Sequence, residues 1–246
     1  MAAEKTKKKS KRFKIVITVI CVLVALLVIS AAVFLQRMQN PAAPKAVEGK
    51  THIACIGDSI TYGVGVIGHR NTQSYPVYLQ ESMGDAYQVL NYGLSGRTLQ
   101  DEGDMPYTEE SFFEKSLDVK ADTYIIMLGT NDSKPYNWNA ERYETELTSF
   151  VEKYKEANPN AAIYLMQPSK CFPLKNGEVG YDIDNNVIQD EIYTIVAKVA
   201  NDTDCDCIDL YTLTQNHPEW FADGVHPNAE GNKNIATYIA EAITNQ

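Results

Sequence analysis

The sequence predicts an α/β domain built on a mainly parallel sheet. Three observations carry that prediction. From residue 51 onward, short apolar runs alternate with longer amphipathic ones. The longer runs place apolar side chains along one helical face. Helix-start signals stand where these runs begin, as in Ser74-Tyr75-Pro76, a capping residue followed by a first-turn proline. Strands that alternate with helices form βαβ units, whose strands lie parallel.

The candidate strands are residues 52–56, 88–91, 123–128, 162–166 and 207–211. Candidate helices begin near Pro76, Glu110, Asn139, Asn185 and Glu230. In the third of these, Tyr143, Leu147, Phe150, Val151 and Tyr154 share a face, and in the last, Ile235, Tyr238, Ile239 and Ile243 do. Cys55 falls in the first strand and reads as a core residue. Cys205 and Cys207 are spaced to share one strand face, where a bond between them would be strained. An exported domain could oxidise a pair among Cys55, Cys171, Cys205 and Cys207. No Cys or His spacing matches a metal site, so neither metal nor cofactor is expected.

The N-terminal stretch has a different character. Residues 15–35 carry no charge and no proline over 21 positions. At a rise of about 1.5 Å per residue, such a helix spans a hydrocarbon core of about 30 Å. The run is longer than the apolar region of a cleaved signal peptide, and Val33-Phe34-Leu35-Gln36 is a poor cleavage site. Seven basic residues precede the run and three follow soon after it (Arg37, Lys45, Lys50). The positive-inside rule then places the N-terminus in the cytoplasm and the rest outside the cell. The expected organisation is a basic tail over 1–14, a transmembrane anchor over 15–35, a Pro-containing linker over 36–50 and a single domain over 51–246.

Charge narrows the partners. Of 22 basic and 32 acidic residues, seven basic and one acidic fall within 1–14 and none within 15–35. The remainder is near −16, which argues against nucleic acid and against a flat anionic membrane as partners of the folded part. The membrane is met through residues 15–35.

In open parallel α/β sheets, ligands bind at the carboxyl ends of the strands. The predicted strands are followed there by Gly57-Asp58-Ser59, Gly93-Leu94-Ser95-Gly96-Arg97, Gly129-Thr130-Asn131-Asp132 and, past a loop, Asp223-Gly224-Val225-His226-Pro227-Asn228. These supply a hydroxyl, glycine amides, a carboxamide, and an imidazole with a carboxylate three residues before it. That is the inventory of acyl transfer.

These four blocks, in this order and spacing over roughly residues 51–245, resemble the SGNH hydrolases, or GDSL-type esterases. The resemblance implies a three-layer α/β/α flavodoxin-like fold with a central parallel five-stranded sheet in the order 2-1-3-4-5. It implies Ser59 as nucleophile, His226 as general base and Asp223 as the residue that orients it. It also implies an oxyanion hole from the N–H groups of Ser59 and Gly93 and the side chain of Asn131. Ser95 competes weakly, because Arg97 stands where a G-x-S-x-G elbow needs its last glycine. Asp58 and Asp132 read as loop braces. His52 opens a strand, while His69 and His217 read as solvated loop residues. The resembling enzymes act on acetylated sugars, lysophospholipids, thioesters and simple esters. Tyr136, Trp138 and Trp220 fall in loops beside the Asn131 and Asp223 blocks, where rings could stack on sugars. The leading expectation is therefore a carbohydrate O-acetylesterase. A lysophospholipase or thioesterase-like acyl hydrolase comes second, and a non-catalytic envelope carbohydrate-binding protein third.

Overall fold

A computed structural model describes residues 15–31, 33 and 41–245. By their contacts the residues divide between Ala42 and Ala43. In the first unit, residues 15–31 form a helix whose side chains are all exposed. Among the described residues, no helix is long and apolar enough to cross a membrane. Residues 32 and 34–35, which complete the predicted span of 15–35, lie outside the described residues, as do the basic tail 1–14 and residues 36–40 of the predicted linker.

The second unit is the α/β domain. Strands β1 (Thr51–Gly57), β2 (Tyr87–Gly93), β3 (Thr123–Met127), β4 (Ala162–Met166) and β5 (Asp206–Ile208) form one sheet. Their order is β2-β1-β3-β4-β5, and every pairing is parallel. Alternation along each strand loads both faces. Ala54, Ile56, Tyr124, Ile126, Ile163 and Leu165 join one core cluster, whereas Ile53, Cys55, Ile125, Met127, Tyr164 and Met166 join the other. A sheet covered on both faces needs apolar side chains at successive positions, which is why these strands read as unbroken runs.

Helices α1 (Ser59–Tyr62), α2 (Tyr75–Met83), α3 (Ser111–Asp118), α4 (Ala140–Ala157), α5 (Tyr193–Asp202), α6 (Leu210–Thr214) and α7 (Ala229–Thr244) connect or follow the strands. Helix α4 buries the five residues its periodicity singles out. They pack with Phe112 and Phe113 of α3 and with Val196 and Val199 of α5 on the first face. On the second face, Tyr75 and Leu79 of α2 meet Ile235 and Ile239 of α7.

Three segments differ from expectation. The last strand ends at Ile208 instead of running to 211. Asp209 accepts a hydrogen bond from the Thr212 N–H and caps α6, so Leu210 and Tyr211 turn into a helix. At α2, Ser74 is the cap residue but its side chain makes no capping bond. The Tyr75 N–H donates instead to Asn232 Oδ1 of α7 at 2.8 Å, so a distant side chain performs the local task. Part of the predicted linker also lies on the sheet edge. The Val47 N–H donates to Gln88 Oε1, and Gln88 Nε2 donates to the Lys45 carbonyl. The described cysteines are all free.

Candidate active site

The end of β1 sets the first group. Gly57 is required there, because a Cβ would come within 2.2 Å of Thr61 Oγ1 and 2.7 Å of the Met127 carbonyl. Asp58 then caps α1 by accepting the Ile60 N–H at 2.9 Å. Ser59 becomes the first helical residue, 5% exposed. Its N–H meets no acceptor among the described residues.

His226 arrives from the segment before α7. Its Nε2 lies 2.8 Å from Ser59 Oγ, and its Nδ1 lies 2.7 Å from Asp223 Oδ2. A carboxylate only accepts, so Nδ1 carries the proton and Nε2 is left as acceptor for the serine hydroxyl. The other carboxylate oxygen, Asp223 Oδ1, accepts the N–H groups of Val225 at 3.0 Å and His226 at 2.8 Å. Partial burial pushes the Asp223 carboxyl upward. The donors from the His226 ring and N–H and from the Val225 N–H outweigh that and hold it well below the usual carboxylate range. It is therefore an anion wherever the imidazole needs one.

Asn131 follows β3 and is 7% exposed. One of its two amide protons is spent on the Arg97 carbonyl at 3.1 Å, which leaves the other as a donor. Asn137 grips the Asn131 carbonyl from below at 3.0 Å.

Gly93 requires a correction. Its N–H already donates to Asn91 Oδ1 at 2.9 Å, so it is not free to hold an oxyanion. The residue is glycine for packing, since a Cβ would sit 2.2 Å from the Tyr62 nitrogen of α1. Three residues on, Gly96 turns through φ +85°, and its N–H meets no acceptor among the described residues. It adjoins Arg97, whose carbonyl holds the Asn131 amide. The sequence offers two glycines in this block, and only the hydrogen bonding separates them.

The rivals resolve by contact. Ser95 meets no imidazole, and its carbonyl accepts from Arg97 Nη1 at 2.7 Å. Buried Arg97 also bonds Glu110. Asp132 braces the loop after β2 by accepting the N–H groups of Leu99 and Gln100. Burial pushes Asp58 and Asp132 each up to about 6. His52 pairs with the Val47 carbonyl, and His217 with Glu219.

Of the three rings expected to stack on sugars, two are committed elsewhere. Trp138 is half-buried against the first core cluster, 5.3 Å from the Tyr143 ring. Trp220 is 5% exposed and stacked on His217 at 3.9 Å, bracing the loop before α7. Each lies beside a motif loop because it holds that loop in place. Tyr136 is open, at 61% exposure. Tyr181, absent from the sequence prediction, donates its hydroxyl to Asp223 Oδ2 at 3.0 Å and meets the His226 ring edge-on at 5.2 Å. The one signal that pointed to it is the length of the loop between β4 and α5.

Several known proteins share this sequence pattern or fold. An acetylxylan esterase of Xylanibacter ruminicola is 38% identical over 227 residues, which cover 84% of this chain. The chain spans about half the length of that relative, 45%. A catalytic mutant of an acetylxylan esterase from Geobacillus stearothermophilus superposes with a TM-score of 0.62 at 20% identity, covering 81% of this chain and 97% of that one. The inhibitor-bound aryl esterase of M. smegmatis gives 0.61 at 18% identity, with 79% and 99% covered. At such identities the two structures show the fold alone. The model of the GDSL-like lipase/acylhydrolase family matches residues 55–233, a stretch that holds Ser59, Asn131, Asp223 and His226. The chain belongs to that family, a family of carboxylic ester hydrolases.

Proposed function

We propose that the chain is an extracytoplasmic serine esterase that removes O-acetyl groups from carbohydrate through an acyl-enzyme on Ser59. The observation that carries this reading is the unbroken line from Ser59 Oγ through the His226 ring to Asp223. In the proposed reaction His226 Nε2 takes the Ser59 proton as the hydroxyl oxygen attacks the ester carbonyl. The oxyanion is held by the N–H of Ser59, the free amide proton of Asn131 and the N–H of Gly96 in place of Gly93. The sugar hydroxyl leaves with the proton from His226, and a water activated by the same imidazole releases acetate. Asp223 fixes the imidazole tautomer and stabilises its charged form.

The acetyl and carbohydrate parts of the reading are supported by the acetylxylan esterase relative. A long acyl chain finds less support, because the large cleft beside the triad carries Glu178, Asp182 and Asp184. The extracytoplasmic location rests on the sequence alone, with residues 15–35 as a membrane anchor and seven basic residues on its cytoplasmic side.

The test is acetate release from a panel of acetylated polysaccharides, with fluorophosphonate labelling alongside. Ser59→Ala is expected to abolish both release and labelling while leaving the far-ultraviolet circular dichroism unchanged. Wild-type turnover by that variant sinks the assignment. A preference for C8–C16 esters over acetate overturns the substrate class.

A further inference from the structure

A cleft of ≈ 950 Å³ opens next to the triad without including any of its residues. Pro135 and Tyr136, just past the Asn131 block, form one wall, and residues 170–186 supply the opposite one. Three lining residues are pinned: the Asp184 N–H donates to Ser133 Oγ at 3.2 Å and the Cys171 N–H to Asn185 Oδ1 at 2.9 Å. Its volume is at the upper end of the roughly 300–1,000 Å³ typical of ligand sites.

The cleft reaches the chemistry through Tyr181. That residue and Asp182 both adopt left-handed backbone, φ 64° and 59°, although neither is glycine. Consecutive strained residues persist only where their surroundings fix them. Here the fixing contacts are those of the Tyr181 hydroxyl and ring to Asp223 and His226. The bend therefore seats Asp182 in the cleft and Tyr181 against the triad.

Exposed apolar surface concentrates at this place. Among the described residues of the α/β unit, the exposed large hydrophobic side chains are Val47, Tyr136, Leu174 and Tyr181. Of the last three, Tyr136 lines the cleft, and Leu174 and Tyr181 are chain neighbours of the lining residues Pro173 and Asp182. A tyrosine face beside carboxylates and amides suits a ligand with apolar C–H faces and many hydroxyls. The charged lining is three carboxylates, Glu178, Asp182 and Asp184, against the single ammonium of Lys170. Such a lining repels anionic sugars.

The geometry points to a subsite here for the sugar chain that carries the scissile acetyl group, selective for a neutral polysaccharide over a uronate polymer. Tyr136 is its stacking platform, and Tyr181, next to the lining residue Asp182, joins that loop to Asp223 and His226. This assignment rests on the esterase reading for its purpose. The cleft itself can be tested without turnover.

The full-length chain in detergent is assayed on acetylated xylo-oligosaccharides of increasing length and on 4-nitrophenyl acetate. The ratio of kcat/KM, oligosaccharide over nitrophenyl ester, is expected to rise with length and to fall about tenfold in Tyr136→Ala, with Tyr136→Trp restoring it. Deacetylated xylo-oligosaccharide is expected to bind Ser59→Ala by calorimetry and to lose that binding when Tyr136→Ala is added. A ratio indifferent to both length and Tyr136 overturns the subsite, as does faster release from acetylated polygalacturonate than from acetylated xylan. Absence of turnover on every ester, with oligosaccharide binding intact, overturns the esterase reading and leaves the subsite standing.

Discussion

Around Ser59 the side chains are buried, whereas the wall at 172–184 is largely exposed and is tied to the triad segment by Tyr181 and by the Phe172 N–H, which donates to the Gly224 carbonyl at 2.7 Å. Ser59, Asn131 and His226 are each under 10% exposed, and each has a fixed partner. Tyr181 is 58% exposed and takes its place through one hydroxyl and one ring contact. Ser59 and Asn131 stand just past the ends of β1 and β3, and Asp223 and His226 stand in the segment before α7, where hydrogen bonds to Asp223 fix the turn. The outer groups stand on a loop, which is free to vary in length and composition. Under the proposed function, reaction type and substrate preference are carried by parts of the chain under different constraints.

Removing the orienting charge should separate the two parts most sharply. Asp223→Asn keeps the shape but favours the wrong imidazole tautomer, so kcat is expected to fall by about 10⁴. Stopped-flow or endpoint assay on nitrophenyl acetate measures this, and a loss under tenfold would break the comparison. Asn131→Ala removes one oxyanion donor, and kcat is expected to fall by ~10²–10³. A change confined to KM would place Asn131 outside the oxyanion hole.

The carboxylates of the inner region make a prediction about stability. Burial raises Asp58 and Asp132 from 3.8 to about 6. For an acid shifted upward on folding, its contribution is fully present below the unfolded value and is lost as pH rises through the folded one. Unfolding free energy should therefore decline between about pH 4 and pH 6, by on the order of 2–3 kcal/mol per group. Asp223, shifted downward, acts in the opposite direction and only in more acidic solution. Urea titration across that window should show the decline, and Asp132→Asn should make it shallower. A flat profile would mean that the buried braces are not ionised in the way their surroundings dictate.

The smallest effect is expected at the junction of the two regions. Tyr181→Phe deletes one hydrogen bond to Asp223 and keeps the ring, so kcat should drop roughly three- to tenfold, the value of about 1 kcal/mol. A loss as large as that of Asp223→Asn would move Tyr181 into the inner group.

The amino-acid sequence by itself determined the parallel α/β domain, because strands buried on both faces leave unbroken apolar runs and one-sided helices leave a periodic stripe. It also singled out Ser59, Asn131, Asp223 and His226 as candidates, because their residue types, after two strands and in one later loop, have a chemical use in common. Tertiary structure decided the rest. Whether Gly93 or Gly96 keeps a free N–H depends on the side chain of Asn91. Whether Trp138, Trp220 or Tyr136 presents a ring depends on which of them Tyr143, His217 or solvent receives. Tyr181 matters only because the chain turns left-handed twice and brings it back to Asp223. Local pattern records what a residue is and which way its element faces, whereas the partner of an exposed loop side chain is fixed only when distant segments pack.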